Sequence, residues 1–243
     1  MIAPNTVLKA EGISSGYVHR GQRIPVLRGI DCDILAGVTM AILGPSGVGK
    51  STLLNVLAAL LSPDEGLIRF VGPDGLPTLL PRQECPLLRW YRNVYVQLVH
   101  QSPVASLVSH FTAERNVALP LLIQGISWPV ARRRARELLS IVGLAKLAAR
   151  CPPQLSGGEC QRAAIARAIA VRPAVVLADE PTGSLDLASA KQAMDALAEL
   201  VHGEGLALVL VTHDRRLAHR YADVVLELGP QTGLRRAAAR VGR

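Results

Sequence analysis

Gly44-Pro45-Ser46-Gly47-Val48-Gly49-Lys50-Ser51-Thr52 is the stretch from which the rest of the chain can be read. Apolar Met40 to Leu43 precede it and Leu53-Leu54-Asn55-Val56-Leu57 follow, giving strand, loop and helix in succession. The stretch fits G-x-x-x-x-G-K-[ST] at every specified position. In such a loop successive backbone N–H groups wrap phosphate oxygens, and the helix N-terminus adds its positive end. Lys50 is placed to reach the β and γ phosphates, and Ser51 to hold magnesium. A plain glycine turn between a buried strand and a helix has no use for a lysine followed by two hydroxyls. The stretch therefore predicts nucleoside triphosphate binding.

A length of 243 residues with 49% apolar side chains is enough for one large domain, or one domain with a sizeable insertion. Aromatic residues make up only 3%, so the core must be built from Leu, Val, Ile and Ala, as in alternating strands and helices of an α/β protein. A net charge of +8 and a pI near 9.9 would by themselves suggest nucleic acid or an anionic membrane face as partner. A phosphate site, a basic helix and a basic tail account for much of that charge. Cys32, Cys85, Cys151 and Cys160 are scattered, without a C-x-x-C pair or a histidine at zinc spacing, which predicts a reduced, intracellular chain without a structural metal. Met1 to Leu8 does not read as a signal peptide, and no apolar run approaches the ~18 residues that cross a bilayer.

Thr6 to Ile13 and Asp31 to Ile34 alternate as antiparallel strands of an edge sheet, with Gly16-Tyr17 and Gly21 to Pro25 read as turns between them. The helix after the phosphate loop is expected to reach about Leu61, where Ser62-Pro63-Asp64-Glu65-Gly66 stops it. Leu67 to Val71 reads as a strand, Gly72 to Pro86 as irregular loop, and Tyr95 to Val99 as a compact strand. From Ala113 to about Ala149 the pattern is helical, with Trp128-Pro129 opening a helix through Arg132 to Arg136; the arginines predict a solvated face or an interaction surface. A helix follows Ser156-Gly157-Gly158-Glu159, another spans about Ala188 to His202, and strands cover Ala174 to Ala178, Ala207 to Val211 and Val224 to Leu228. The basic tail beyond Gly229 shows no clear structure.

Met40 to Leu43, Val175 to Ala178 and Leu208 to Val211 are apolar strands that each deliver polar residues at the carboxyl end, where open α/β sheets bind ligands. Asp179 is placed to help hold magnesium, and Glu180 to polarise an attacking water. His213 is placed to contact the γ phosphate, and Gln101 to touch both metal and water. A Ser-Gly-Gly turn opening a helix at Ser156 is a second anion site in the same chain. Two phosphate sites with a single lysine loop suggest halves of two different composite sites.

In this order the phosphate loop, Gln101, Leu155 to Glu159, Val175 to Glu180, Ser184-Leu185-Asp186 and His213 resemble the nucleotide-binding subunit of an ABC transporter. The resemblance spans Leu8 to about Leu228. It implies an α/β fold: a phosphate-loop NTPase core of mainly parallel strands, an antiparallel edge sheet and a helical insertion. It implies a core of residues 1–102 and 154–243 and a helical subdomain of residues 103–153. It implies ATP and Mg2+, with Gly44, Pro45, Ser46, Gly47, Gly49, Lys50, Ser51 and Thr52 on the nucleotide and Tyr17 stacked on adenine. Ser51, Gln101 and Asp179 would serve the metal, and Glu180, His213 and Gln101 catalysis. Ser156, Gly157, Gly158 and Asp186 would reach the ATP of a second ATPase subunit, expected to be an identical chain packed head to tail.

Asn116-Val117-Ala118-Leu119-Pro120 and Ala178 to Asp186 further resemble the branch containing lipoprotein-releasing, macrolide-exporting and cell-division ATPases. The implied partner is an integral membrane permease-type subunit, the implied location the cytoplasmic side of the inner membrane, and no nucleic acid is expected. Cys160, Ala163, Val38 and Arg115 depart from the family's usual residues, but none is a phosphate-contacting position. A soluble ATPase working on nucleic acid or ribosomes is the rival reading, although relatives of that kind carry two cassettes or long coiled coils. A nucleotide-dependent scaffold at a division site is another, against which intact Glu180 and His213 argue.

Overall fold

The computed structural model describes residues 5–72, 74–102, 106–229 and 233–236. Two 14-residue strands, β1 (Thr6–His19) and β2 (Gln22–Leu35), form a long hairpin. The expected turns at Gly16-Tyr17 and Gly21 to Pro25 are not there: Gly16 pairs with Pro25 and Tyr17 with Ile24 inside the ladder. The chain reverses instead at Arg20-Gly21, both with positive φ (49° and 77°). Two left-handed residues make the tight turn whose twist matches that of the flanking strands. Gly16 is needed in the strand because a Cβ there would run into the Ile24 carbonyl.

β4 (Glu65–Val71) pairs antiparallel with β1, and a short β5 (Pro77–Leu79) adds to its far side, giving the sheet order β2-β1-β4-β5. β5 corrects the expectation of a wholly irregular segment at 72–86. Its ladder is only three residue pairs long, too short for the alternation from which a strand is recognised in sequence.

The second sheet has the order β10-β9-β3-β8-β7-β6, where β3 is Thr39–Leu43, β6 Val96–Val99, β7 Val175–Asp179, β8 Ala207–Thr212, β9 Val224–Gly229 and β10 Gly233–Arg236. All neighbours are parallel except β10, which folds back antiparallel on β9 and corrects the structureless tail over those four residues. The expected juxtaposition holds: β3, β8 and β7 are adjacent, with Leu43 opposite Thr212 and Asp179 opposite Val211. β3 and β8 are buried at every residue, as a sheet covered on both faces requires.

Strand alternation sorts the core into two layers. Val175, Leu177, Val209 and Val211 face the phosphate-loop helix α1 (Lys50–Leu57) and the hairpin sheet. Val176, Ala178, Leu208 and Leu210 face α3 (Ala113–Ile123), α4 (Trp128–Ile141), α5 (Gly157–Ile169) and α6 (Leu187–Glu204). A short α7 (Arg215–Tyr221) covers β3 beside Ala41 and Leu43.

α1 stops at Leu57 rather than Leu61, because Ala59 adopts φ 57° and the Leu60 and Leu61 amides both turn back to the Asn55 carbonyl. α2 (Pro86–Trp90) continues as a π-helical turn over Tyr91–Tyr95, so the following strand starts at Val96 rather than Tyr95. The turn packs Phe70, Trp90, Tyr91 and Tyr95 into one aromatic cluster, with Phe70 and Tyr91 centroids 4.9 Å apart. Fully buried Tyr91 donates to the Leu57 carbonyl at 2.5 Å, satisfying the end of α1, and burial holds its phenol well above the usual tyrosine range. Tyr91→Phe leaves that carbonyl unsatisfied and is expected to cost about 1–2 kcal/mol. Thermal unfolding should then show a Tm lower by about 3–6 °C for a chain of this size.

Candidate functional site

β3 delivers the loop at Gly44 and α1 receives it at Lys50. Gly49, at the helix N-cap, has φ 107° and Gly47 has φ 79°, conformations that glycine adopts without strain. A Cβ on Gly44 would lie 2.7 Å from the Leu228 carbonyl oxygen and 2.9 Å from Val48 Cγ1, so the loop could not lie as close to β9 with any other residue. No side chain caps α1 and no acidic residue sits in its first turn, which leaves its positive end to the loop. Lys50, only 5% exposed, donates from Nζ to the Gly44 and Pro45 carbonyls at 2.9 Å each. Ser51 is exposed on the first turn, whereas Thr52 is buried and shares a 3.2 Å hydrogen bond with the Tyr17 hydroxyl. That bond holds the Tyr17 ring, 47% exposed, beside the loop.

Glu180 is the first residue beyond β7, and its φ of 43° is strained for a side chain with a Cβ. Its amide donates to the Val211 carbonyl of β8 at 3.0 Å, and the resulting kink directs the carboxylate along the sheet edge. Glu180 Oε1 lies 3.0 Å from His213 Nδ1 and 3.8 Å from Lys50 Nζ. Three predicted residues from the ends of three strands therefore meet at one carboxylate. Asp179, the last residue of β7, is half-buried next to it.

Gln101 follows β6 on the edge of the sheet. Its backbone carbonyl accepts from Ser184 Oγ at 3.3 Å, and its side chain lies so close to Gly183 that a Cβ there would be 2.7 Å from Nε2. The turn after Glu180 is thus shaped to hold Gln101. The oxygen donors of Ser51, Gln101 and Asp179 suit a hard divalent cation. Among the described residues no cluster of three or more His, Cys, Asp or Glu is placed to hold a metal ion.

Ser156, Gly157 and Gly158 lie apart from this centre. Among the described residues no hydrogen bond or ion pair joins them to Lys50, Glu180 or His213. Ser156 caps α5 through a reciprocal pair: its Oγ accepts from the Glu159 amide at 3.3 Å, and its own amide donates to Glu159 Oε2 at 2.8 Å. The Ser156 amide holds the Glu159 carboxyl below the usual range, so this contribution is present above the unfolded carboxylate value and lost as pH falls through the folded one. Gly158 lets α5 meet α6, since a Cβ would be 2.8 Å from that of Ser189. Asp186 caps α6, accepting from the Ala188 and Ser189 amides at 3.0 Å each; hydrogen bonds from Ser189, then Ala188, keep its carboxyl low. The next residue, Leu187, is 90% exposed. The Ser-Gly-Gly turn therefore lies beside Asp186, through Gly158 against Ser189 and the Ser189 amide bonded to Asp186.

Gln161 and Arg167 were not singled out by sequence; Gln161 ties α5 to His100, next to Gln101, and Arg167 ties it to Ser106. Gln161 is fully buried on α5, donates from Nε2 to the His100 carbonyl at 3.3 Å, and has no partner for Oε1 among the described residues. Arg167 donates to the Ser106 carbonyl, and its burial lowers the guanidinium pKa. Beyond it, buried Asn116 accepts from the Val108 amide at 2.8 Å and donates to its carbonyl at 3.0 Å. A glutamine inside an alanine and isoleucine stripe was the signal available in the sequence.

Residues 27–183 match the family model described as ABC transporter. The lipoprotein-releasing system ATP-binding protein LolD of Novosphingobium aromaticivorans is 43% identical over 219 residues, covering 90% of this chain and 95% of the relative. That of Legionella pneumophila (strain Paris) is 42% identical over 220 residues, covering 90% and 94%. Among solved structures, the dimeric post-hydrolysis state of the ATP-binding cassette MJ0796 with ADP and Pi superposes with a TM-score of 0.79 at 33% identity, covering 94% of this chain and 98% of that one. CbiO1 of Clostridium perfringens, part of the ABC transporter complex cbiONQ, gives 0.82 at 27% identity, covering 95% and 87%.

Ser156→Ala removes one arm of the α5 cap and is expected to cost about 1 kcal/mol. Thermal unfolding without nucleotide should show a Tm lower by about 2–4 °C, largely restored by Ser156→Asn.

Proposed function

This chain belongs to the ABC transporter family, and from that premise we propose that it powers lipoprotein release from a membrane through a separate permease-type subunit. As a cassette of this family it binds and hydrolyses ATP. The names of its relatives support lipoprotein as the cargo class. No described helix is long and apolar enough to cross a membrane, so the membrane step falls to a partner. The proposal places the chain peripherally on the cytoplasmic face of the inner membrane and assigns the partner contact to the helical subdomain, residues 103–153.

The observation that carries the catalytic reading is the meeting of Lys50 and His213 at Glu180. Lys50 would exchange the Gly44 and Pro45 carbonyls for β and γ phosphate oxygens. Tyr17 would stack on the base, and Gly44 to Thr52 would wrap the phosphates. Ser51, Gln101 and Asp179 would hold Mg2+, which supplies charge neutralisation on the phosphates. Glu180, half-buried and fixed by its strained backbone, would take the proton of the attacking water, while His213 would contact the γ phosphate.

The exposure of Ser156 and Gly157 at the start of α5 supports a composite site. Ser156, Gly157 and Gly158 of a second copy would close over the γ phosphate, with Asp186 beside them. Leu187, apolar and 90% exposed next to Asp186, suits a surface that a second copy covers. ATP would therefore close a homodimer, and hydrolysis would reopen it.

Glu180→Gln is expected to lower ATP turnover by about 10²–10³-fold and to accumulate an ATP-bound dimer on size-exclusion chromatography. Unchanged turnover would remove Glu180 from the role of general base. Gln161→Leu should lower kcat by about tenfold or more through misplacement of Gln101, with the Kd for ATP unchanged. A parallel rise in that Kd would mean that Gln161 acts on the binding loop instead.

A further inference from the structure

α7 (Arg215–Tyr221) begins just after His213 and is held along its whole length. At its start, Asp214 accepts from the Arg216 and Leu217 amides at 2.8 and 3.2 Å, while its own amide donates to Thr212 Oγ1 at 3.0 Å. His213 is thus set between a strand end and a helix cap. In the middle of α7, Ala218 is buried with Ala41 and Leu43, the latter being the residue before the phosphate loop. At its end, the Tyr221 hydroxyl donates to Asp195 Oδ1 at 2.7 Å, and Asp195 Oδ2 accepts from Lys191 Nζ at 2.8 Å. Asp195 lies on α6, the helix that Asp186 caps. Among the described residues the Tyr221–Asp195 bond is the only hydrogen bond or ion pair that joins α6 to α7.

We infer that Tyr221 and Asp195 are a positioning pair that makes the helix after His213 and the helix after Asp186 move as one body, and so couples the two nucleotide sites of the dimer. The inference rests on the composite site proposed above, in which His213 contacts the γ phosphate of its own subunit and Asp186 reaches the ATP of the second. Leu217 and the Tyr221 ring pack on the helical core, but apolar contact has no direction and by itself lets two helices slide. A hydrogen bond to a charged acceptor adds a fixed distance and is stronger than one between neutral groups. Both Asp195 oxygens are engaged, and Lys191 and Tyr221 hold its carboxyl below the usual range. Burial, with the neighbouring Asp195, pushes the Tyr221 phenol up to about 12, so it remains a donor at any working pH. A contact that tilts α7 at His213 therefore reaches α6, whose 18 residues run without a break from Leu187, next to Asp186.

The test follows ATP turnover of the purified full-length chain against ATP concentration. Two coupled sites give a Hill coefficient above about 1 and up to about 2. Tyr221→Phe removes the hydroxyl and keeps the ring on the core, and its Hill coefficient should fall to about 1. The Kd for ADP should stay as in the wild type, because the residues of the nucleotide centre are untouched. Asp195→Ala should behave in the same way. Asp195→Asn keeps an oxygen for the Tyr221 hydroxyl while losing the Lys191 ion pair, and should retain the cooperativity. A bond that served stability alone would lower the Tm of Tyr221→Phe and leave its Hill coefficient unchanged, and that result overturns the inference. Equal loss of cooperativity in Asp195→Asn and Asp195→Ala overturns it too, since the acceptor is still present in the first. A wild type without cooperativity removes the composite site and the inference together, whereas a cooperative wild type matched by Tyr221→Phe removes the inference alone.

Discussion

The Lys50 ammonium, almost fully buried, is held by two loop carbonyls and lies 3.8 Å from Glu180. A cation removed from water must be surrounded by oxygen, and here those oxygens come from its own loop and from the end of a different strand. That is possible only if β3 and β7 finish at the same edge, separated by β8. The parallel order β3-β8-β7 meets this demand, and strands that are apolar except at Thr39, Asp179 and Thr212 allow that order to be buried on both faces. The strained Glu180 backbone is the local cost of turning a carboxylate back along that edge, and its amide bond to the Val211 carbonyl keeps the strain in place.

The same edge explains why two capping devices matter beyond helix stability. Ser156 and Asp186 each use a side chain to satisfy first-turn amides of their helices, and Gly158 brings those helices together at Ser189. The signature turn is therefore set by α6 as much as by α5. Gln161 extends the arrangement to His100, next to Gln101, whose side chain is also wedged against Gly183. A shift of α5 along its axis cannot leave Gln101 untouched, because the His100 carbonyl would lose its partner and Gln161 would be left more unsatisfied than it is.

Much of this was legible in the sequence because the information was local. The phosphate loop is contiguous, the buried strands are uninterrupted apolar runs, and the caps at Ser156 and Asp186 lie next to the helices they start. What was not legible depended on distant contacts. Gly16 and Pro25 look like turn residues, and only their pairing across the hairpin shows that a close backbone approach, not a reversal, calls for glycine. α1 ends early because Ala59 accepts a left-handed conformation in an environment fixed by Tyr91 and Arg92, which bond the Leu57 and Ala59 carbonyls from 34 and 33 residues away. The predicted placement of Lys50, Glu180 and His213 followed from strand ends, whereas the ties from Gln161 and Arg167 to residues 61 positions away left no spacing signal.

Within one chain Lys50, Glu180 and His213 meet at one sheet edge, while the Ser-Gly-Gly turn opens α5 with Ser156 and Gly157 exposed. A helix N-terminus that is exposed offers positive potential to solvent. Its cap leaves Ser156 and Gly157 exposed while Gly158 is buried against α6, so the turn is rigid without being covered. The cap thus keeps the first turn of α5 seated on α6 at Gly158 while Ser156 and Gly157 stay open to solvent. The α5–α6 contact at Gly158 and the bond from buried Gln161 to the His100 carbonyl therefore link the turn at once to α6 and to the residue before Gln101, so that none of the three can shift alone.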